Sequence, residues 1–229
     1  MMRLLVSVRS VDEALLVAGA GAHFIDLKEP GQGALGGLPV ASIVTIVAAL
    51  RRQRVTLPIS ATIGDLPMHA LSEIQARVDA VGDCGVDYVK VGITRDAGAG
   101  AVLDALAYCG AAVVPVFIAD RGLDEALVTR AAALGFPALM VDTADKQAGS
   151  LFDVMPIAAL RRFITAARTA GALVGLAGAL QRSHALALAG LAPDFAGFRS
   201  AVCLGGRSHA LDAQCLRDLV EAMRQVTPA

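Results

Sequence analysis

One short stretch determines how the rest of the chain is interpreted: His23-Phe24-Ile25-Asp26-Leu27-Lys28-Glu29-Pro30. It predicts a buried strand that ends in polar side chains. Successive side chains point to opposite faces of a strand, so Asp26 and Lys28 share one face while Ile25 and Leu27 share the other. A carboxylate and an amine at the end of an apolar strand carry a desolvation cost unless they are paired or have a function. The stretch therefore indicates a strand whose carboxyl end does chemistry.

Lysine is rare in this chain, and each lysine lies at or just after an apolar, strand-like run. Of the 20 basic residues only Lys28, Lys90 and Lys146 are lysines. Arginine stays charged in proteins, whereas a buried lysine can lose its proton and act as a nucleophilic amine. The pattern indicates an enzyme that uses amine chemistry. A coding bias towards arginine, with three lysines left at arbitrary positions, is the alternative.

The composition is that of a protein with a large apolar core and a thinly charged surface. The 229 residues are 55% apolar and 18% charged, with a formal net charge of −1. This length fits one α/β barrel, so we expect a single domain over residues 1–229. The longest basic cluster covers only residues 51–54, and there are two tyrosines and no tryptophan. These features argue against a nucleic-acid partner.

The sequence also predicts a cytoplasmic protein with no membrane partner and no metal. The apolar run at the N-terminus is too short for a signal peptide. The longest uncharged run, residues 105–119, contains glycine and proline and is shorter than a membrane span. The four cysteines lack C-x-x-C spacing, which favours free thiols in a reducing compartment over a metal site.

Apolar runs of strand length alternate with helical patterns along the whole chain. The expected strands are Leu4–Val8, Phe24–Lys28, Ile59–Ile63, Tyr88–Ile93, Val113–Ile118, Ala138–Asp142, Leu173–Ala177 and Phe195–Arg199. Continuously apolar strands are typical of a parallel sheet covered on both faces, and eight β–α units predict a closed (β/α)8 TIM barrel. A doubly wound open sheet is the alternative, but no G-x-G-x-x-G turn follows the first strand.

The helices are expected between these strands and after the last one. The first begins at Ser10-Val11-Asp12-Glu13, a capping box in which Ser10 caps the backbone and Glu13 reaches back. Glycines that follow four of the helices predict left-handed C-terminal turns: Gly85, Gly110, Gly135 and Gly171. The other helices are expected near residues 41–53, 68–84, 99–109, 123–135, 156–170, 182–190 and 211–225.

In a TIM barrel the active site lies at the carboxyl ends of the strands. The catalytic candidates there are Asp26, Lys28, Lys90, Asp142 and Lys146. A second ammonium nearby would lower the pKa of Lys28, and its neutral amine could form a Schiff base with an aldehyde or ketone. Asp26 and Asp142 would then transfer protons. Salt bridges that merely close the mouth of the barrel are the alternative.

The last two strands are followed by residues that suit an anion. Small residues follow strand seven, and Arg199-Ser200 and the Gly205-Gly206-Arg207 turn follow strand eight, where TIM barrels frequently bind phosphate. The candidates for substrate or phosphate binding are Ser7, Thr62, Asp120, Gly178, Ala179, Arg199 and Ser200. The glycine-rich loop over residues 30–39 directly follows Lys28, which predicts a lid, with a surface turn as the alternative.

Several of these segments together resemble one known family, the (5-formylfuran-3-yl)methyl phosphate synthases of methanofuran biosynthesis. The matching segments cover nearly the whole chain and are Ile25–Lys28, Ser60–Asp65, Tyr88–Gly92, Val141–Lys146, Leu151–Asp153, Gly175–Gly178 and Gly197–Arg199. The Asp-x-Lys pair at Asp26 and the Asp-x-x-x-Lys pair at Asp142 are the most specific parts. The chain departs from the family pattern at Ala34, where serine is expected.

The resemblance implies an enzyme that condenses two molecules of glyceraldehyde 3-phosphate into a furan aldehyde phosphate, with loss of phosphate and water. It implies Lys28 as the Schiff-base lysine, and as its catalytic neighbours Asp26, Lys90, Asp142 and Lys146. No metal or organic cofactor is implied. We further expect a homo-oligomer. The alternatives are another Schiff-base aldolase or lyase acting on a triose phosphate, and a non-catalytic barrel that binds a phosphorylated metabolite.

Overall fold

Eight parallel strands close into a barrel in chain order, within the residues that this computed structural model describes, 2–145 and 148–226. The strands are β1 Arg3–Val8, β2 Phe24–Leu27, β3 Ile59–Thr62, β4 Tyr88–Ile93, β5 Val113–Ile118, β6 Ala138–Asp142, β7 Leu173–Leu176 and β8 Phe195–Phe198. The TIM-barrel prediction is confirmed. The open-sheet alternative is wrong, because β8 pairs with β1 from Arg3↔Phe195 to Val6↔Phe198.

Helices connect the strands and cover the outside of the barrel. They are α1 Val11–Gly19, α2 Val40–Arg52, α3 Leu71–Gly82, α4 Ala99–Leu106, α5 Glu125–Ala133, α6 Leu151–Val154, α7 Ile157–Thr169, α8 Ala185–Leu191 and α9 Ala213–Val226. Short 3₁₀ turns occur at Arg182–His184 and Ser200–Val202. No helix in the described part of the chain is both long enough and apolar enough to cross a membrane.

The ends of the helices show which of the predicted helix boundaries are correct. Gly85, Gly135 and Gly171 have φ of 82°, 75° and 81°, as the C-terminal glycine rule predicts. Gly110 is not among the positive-φ glycines, because α4 already ends at Leu106. The short helix α6 was not expected, although Ser150 and Asp153 form a complete capping box at its start.

The barrel has two separate apolar regions. The larger one lies between the sheet and the surrounding helices. The second lies inside the barrel and includes Leu5, Val114, Met140 and Phe195, together with Leu35 from the loop after β2. The parallel register aligns Ser7 with Asp26, and Asp26 with Ser60. These three polar residues therefore lie side by side above the apolar interior.

Candidate active site

Two lysines and two aspartates meet inside the carboxyl end of the barrel and form what we call the rim cluster: Asp26, Lys28, Lys90 and Asp142. All four are buried, with Asp26 0%, Lys28 6%, Lys90 2% and Asp142 2% exposed. Asp26 lies on β2 and Lys28 just after it, Lys90 lies in the middle of β4, and Asp142 ends β6. The barrel therefore brings together, from three strands, the residues that the sequence placed at its rim.

Asp26 is the most constrained member of the rim cluster. Its carboxylate accepts hydrogen bonds from Lys90 Nζ at 2.9 Å, Ser60 Oγ at 2.7 Å and Ser7 Oγ at 2.9 Å. Burial alone would raise the pKa of Asp26, but the charges of Lys90 and Lys28 and the hydrogen bonds from Ser60 and Lys90 outweigh it and lower that pKa. Asp26 is therefore an anion at neutral pH.

Lys28 and Asp142 form the second pair, with a longer contact. Lys28 Nζ lies 3.4 Å from Asp142 Oδ2. The other oxygen of Asp142 accepts a hydrogen bond from the Thr143 backbone N–H at 2.7 Å, which fixes the carboxylate plane. Charge-assisted N–H···O bonds are commonly about 2.7–2.9 Å long. The contact between Lys28 and Asp142 is therefore looser than the one between Lys90 and Asp26, which is 2.9 Å.

The rim cluster faces a narrow cavity of about 30 Å³. Among the predicted substrate ligands, Ser7, Gly178, Ala179, Arg199 and Ser200 line it. Ala179 has φ of 47°, a left-handed backbone that a residue with a Cβ rarely adopts. A Cβ on the neighbouring Gly178 would lie 2.9 Å from a methyl of Thr143. Gly178 therefore packs too closely against Thr143 to carry a side chain, and it lines the cavity together with Ala179.

The side chain of Arg199 has a structural task that its position in the sequence did not indicate. Its guanidinium pairs with Glu13, at 2.7 Å from Oε2, and also donates to the backbone oxygens of Ser7, Arg207 and His209. Only its backbone remains as a possible phosphate ligand. Glu13 accepts from the Arg9 N–H at 2.9 Å, so the capping box is only half correct. Ser10 caps as expected, while Glu13 instead holds β8 to β1.

Thr62 and Asp120 both hold loops, and their role as substrate ligands stays a prediction. The Thr62 hydroxyl is fully buried and donates to the Gly36 carbonyl at 2.9 Å. The Asp120 carboxylate accepts from the backbone N–H groups of Ala144 at 2.6 Å and Asp145 at 2.7 Å. Neither lines the cavity that the described residues form at the rim cluster. Their contacts shape the loops after β2 and β6, whose residues surround the site.

Lys146, the third predicted catalytic lysine, lies outside the described residues. Its predicted role beside Lys28 therefore stays a prediction. The four cysteines are free thiols. Within residues 2–145 and 148–226, no group of three or more His, Cys, Asp or Glu side chains is placed to hold a metal ion.

The loop after β2 is exposed at residues 31–33 and enters the barrel at Leu35. Leu35 is fully buried among the interior residues, and its N–H donates to the Asp65 carboxylate at 3.1 Å. Leu35 lies over β4 at Gly92, where a Cβ would come within 2.9 Å of Leu35 Cδ1. The surface-turn alternative therefore describes only part of the loop, and a lid function stays a prediction.

Arg207 is a cation at the site that was not among the predicted ligands. It lines the cavity and is half-buried, and its Nη2 donates to the Gly33 carbonyl at 2.8 Å. Burial lowers the pKa of Arg207, while the carboxylates of Asp142 and Asp65 act in the opposite direction. Its position in the Gly205-Gly206-Arg207 turn was the available signal. The turn joins the loop after β8 to the loop after β2.

Comparison with known proteins identifies close relatives over the full length. The sequence matches the family described as 4-HFC-P synthase over residues 4–220. A protein of Methylorubrum extorquens is 39% identical, over 97% of this chain and 92% of its own. The (5-formylfuran-3-yl)methyl phosphate synthases of Archaeoglobus fulgidus and Methanopyrus kandleri are 33% and 34% identical, over 97% and 96% of this chain and 99% and 98% of theirs.

Solved structures with the same fold are more distant in sequence. Phosphoribosyl anthranilate isomerase from Thermus thermophilus superimposes with a TM-score of 0.70 at 17% identity, covering 99% of this chain and 100% of its own. The 3-hexulose-6-phosphate synthase from Salmonella typhimurium gives a TM-score of 0.65 at 19% identity, with coverage of 99% and 100%. At these identities the likeness supports the barrel fold alone.

Proposed function

The chain belongs to the 4-HFC-P synthase family of methanofuran biosynthesis, and we propose that it makes (5-formylfuran-3-yl)methyl phosphate from two molecules of glyceraldehyde 3-phosphate through a Schiff base on Lys28. One phosphate and two water molecules leave in this balance. The observation that carries the proposal is the buried Lys28 amine, 3.4 Å from the Asp142 carboxylate and beside the Asp26–Lys90 pair.

The rim cluster supplies the groups that imine chemistry requires. Asp142 takes a proton from Lys28, and the neutral amine adds to the carbonyl carbon of one triose phosphate. Loss of water gives the imine, which withdraws electrons from the adjacent carbon and allows a carboxylate to remove a proton there. The resulting enamine expels the phosphate from its third carbon, and that carbon, now the end of an enol, attacks the carbonyl carbon of the second triose phosphate, which has isomerised to its ketone form. The free hydroxyl of the second triose closes the ring on the ketone that the enol becomes, and two water molecules leave. Hydrolysis of the imine then releases the furan aldehyde and regenerates Lys28.

The second pair keeps the local charge balanced during these steps. Lys90 and Asp26 are in direct contact at 2.9 Å and lie deeper in the barrel than the mouth of the cavity. A fixed ammonium next to the reacting carbonyl stabilises negative charge on its oxygen as that charge develops. Asp26 in turn holds Lys90 in position. Their proposed roles are therefore electrostatic stabilisation and proton transfer, with Lys28 as the nucleophile.

The cavity of about 30 Å³ holds little more than one water molecule, so we propose that the two loops that follow β7 and β8 open to admit the substrates and then bind their phosphate groups. Gly178 and Ala179 present backbone to the cavity, and Ser200 and Arg207 complete its wall. Arg207 replaces Arg199 as the cationic phosphate ligand, because the Arg199 guanidinium is already paired with Glu13. We also place the protein in the cytoplasm, which agrees with the free thiols of its cysteines.

Reductive trapping tests the proposal. Borohydride added during turnover with glyceraldehyde 3-phosphate should attach the substrate carbons to Lys28, as peptide mass spectrometry can establish. Lys28→Arg should give neither adduct nor furan product, because a guanidinium keeps the charge but does not form the imine. Arg52→Lys is the control, since it adds an exposed lysine on α2 that should remain unlabelled.

Each outcome of this experiment assigns the reaction differently. Labelling of Lys90 or Lys146 would contradict the role of Lys28, and furan formation without any labelled lysine would contradict the Schiff base. An adduct on Lys28 with a product other than the furan aldehyde would favour a different triose-phosphate aldolase or lyase. A structure of the reduced adduct should place its phosphate against Arg207 and Gly178.

A further inference from the structure

A second cavity lies at the end of the barrel axis opposite to the rim cluster. Its volume is about 280 Å³, or roughly nine times the ~30 Å³ that a water molecule takes up in the liquid. Six of the strands contribute their first residue to its wall: Arg3, Phe24, Tyr88, Ala138, Leu173 and Phe195. We call this space the basal cavity. Its volume is close to the lower end of the range for small-molecule sites, about 300 Å³.

The walls of the basal cavity are mainly aromatic and aliphatic. The Phe24 and Phe195 rings are tilted at 49° to each other with centroids 5.5 Å apart, and Tyr88 also lines the cavity. A Cβ at Gly175 would lie 2.3 Å from the Phe195 ring, so the glycine leaves room for that ring to turn inward. Water has few hydrogen-bond partners on such walls, and an aromatic ring gains free energy by replacing it.

The mouth of the basal cavity is cationic. The Arg3 guanidinium lies 5.0 Å from the centre of the Phe24 ring and uses its Nε–H for the Asp194 carbonyl. Among the contacts of the described residues, this leaves four of its five N–H donors for a ligand. His23 Nδ1 accepts the Leu4 N–H at 3.0 Å, so its neutral form carries its proton on Nε2. Burial lowers the pKa of His23, and the charges of Arg3 and Arg224 lower it further.

The floor of the basal cavity is shared with the candidate active site. Leu5, Lys90 and Met140 line both spaces. The Lys90 ammonium points to Asp26 in the rim cluster. Only these side chains and their neighbours therefore separate a ligand in the basal cavity from the catalytic groups.

We propose that the basal cavity is a second ligand site and that it binds a small aromatic carboxylic acid as its anion. The aromatic ring lies between Phe24, Tyr88 and Phe195, and the carboxylate lies at the mouth against the remaining N–H groups of Arg3. A guanidinium binds a carboxylate in a planar, bidentate arrangement, which suits an acid better than a neutral molecule. This site does not depend on the reaction that we assign to the rim cluster.

The probe for this site is 4-fluorobenzoate, titrated into the full-length protein and followed by fluorine NMR. A ring with a single carboxylate has about ten non-hydrogen atoms, for which a Kd on the order of 1 mM is expected. Ala138→Phe fills the basal cavity from β6 and should weaken binding at least about tenfold by steric exclusion. Ala133→Phe, which adds the same ring on the exposed end of α5, should bind as the unmodified protein does.

A second variant tests the charge at the mouth. Arg3→Gln should weaken 4-fluorobenzoate about fivefold or more, because a charge-assisted bond is lost. The same variant should leave neutral 4-fluorobenzyl alcohol within about twofold, because ring burial is unchanged. Circular dichroism and thermal unfolding establish that each variant is folded, and Ala138→Leu replaces Ala138→Phe if the larger side chain prevents folding.

The proposal is overturned if the unmodified protein shows no saturable binding up to about 10 mM, ten times the expected Kd. It is equally overturned if neither Ala138 variant weakens binding, because the probe then binds elsewhere. Unchanged affinity of Arg3→Gln for the acid would overturn the assignment of an anionic ligand. A loss of furan synthesis in any variant has no bearing on these outcomes, since binding is measured directly.

Discussion

The two ends of the barrel interior are built from the same strands and differ in almost every chemical property. Asp26 lies two residues above Phe24 on β2, and Lys90 lies two residues above Tyr88 on β4. The upper members are charged, buried and hydrogen-bonded to one another. The lower members are aromatic and surround an open space. Position inside the barrel therefore does not by itself make a residue apolar, because these upper members are charged and the lower members are aromatic.

The contrast is also energetic. A buried charge pair is weak evidence for stability, because desolvation can exceed the Coulombic gain and apolar residues of similar volume often stabilise a protein more. The barrel nevertheless keeps two such pairs, Lys90–Asp26 and Lys28–Asp142, at its upper end. Its lower end has apolar walls instead. We infer that the upper end has the composition of a site for charged reacting groups, and the lower end that of a cavity for an aromatic ligand.

The largest expected effect separates the two ends by activity. Asp26→Asn removes the anion that holds Lys90, and should lower kcat by about 10²- to 10⁴-fold, the range for loss of a group in proton transfer. Val114→Ala, a buried basal position on β5, should change kcat less than about threefold because it touches no reacting group. The measurement is the rate of furan aldehyde formation under saturating triose phosphate. A kcat for Asp26→Asn within tenfold of the unmodified protein would contradict the assignment.

The next effect separates the two ends by stability. Asp26→Leu and Lys90→Met should each lower the free energy of unfolding by about 3–5 kcal/mol, because either change leaves an uncompensated buried charge. The double variant should cost less than either single one, since both charges are then gone. At the basal end, Phe24→Ala and Phe195→Ala should each lower the free energy of unfolding by at most roughly 3–5 kcal/mol. The double variant should lower it more than either single variant.

Urea denaturation measures the four single and two double variants on one scale. The two pairs should behave differently: the charged double variant should be more stable than either of its single variants, and the aromatic double variant should be less stable than either of its single variants. If Asp26→Leu with Lys90→Met is less stable than both single variants, the pair contributes net stability and the energetic contrast between the two ends is wrong.

How far the sequence predicts this molecule depends on the kind of residue. The strands were predictable because buried parallel strands are continuously apolar. Asp26, Lys28, Lys90 and Asp142 were predictable because the inside of a barrel is otherwise packed with branched apolar side chains, so that charged residues at strand ends stand out as a site. The fold and the position of the rim cluster follow from these two patterns. Both patterns are local, and each is visible in a window of a few residues.

Contacts between distant residues were not predictable. The Glu13 pairing with Arg199 joins residues 186 positions apart, and in the sequence Glu13 has the pattern of an ordinary capping residue. The Leu35 insertion depends on the space above Gly92, which no spacing reveals. The basal cavity is invisible for the same reason, since Phe24, Tyr88 and Phe195 have the pattern of normal core positions whether or not the space between them is filled.

The smallest expected effect separates the two ends by pH. Burial and the charges of Arg3 and Arg224 lower the pKa of His23 at the basal end below its ordinary 6.5. At the upper end, the pKa values of Asp26 and Glu13 are lowered below 3.8 and 4.5, because lysine and arginine partners outweigh the opposite effect of burial. In all three cases the unfolded chain takes up the proton at a higher pH than the folded chain.

A lowered pKa in the folded state gives stability above the unfolded pKa that is lost as the pH falls towards the folded one. Protonation of His23 should therefore lower the free energy of unfolding as the pH falls below about 6.5. Protonation of Asp26 and Glu13 should lower it only below about pH 4.5. Each group contributes a slope of at most ~1.4 kcal/mol per pH unit. The measurement is the free energy of unfolding in urea at intervals between pH 3.5 and 7.5, the range that spans the unfolded pKa values.

His23→Gln should remove the loss of stability that begins below about pH 6.5 and keep the loss that begins below about pH 4.5, because glutamine does not titrate. Glu13→Gln should reduce the slope of the free energy of unfolding against pH only below about pH 4.5. It also lowers stability at all pH values, because it leaves Arg199 unpaired. The slopes and not the absolute stabilities are compared, so this loss does not affect the test. If His23→Gln retains the loss of stability between pH 6.5 and 5, the basal end has no titrating group of its own. The pH dependence would then come from other groups, and the two ends would differ in polarity without differing in their response to protons.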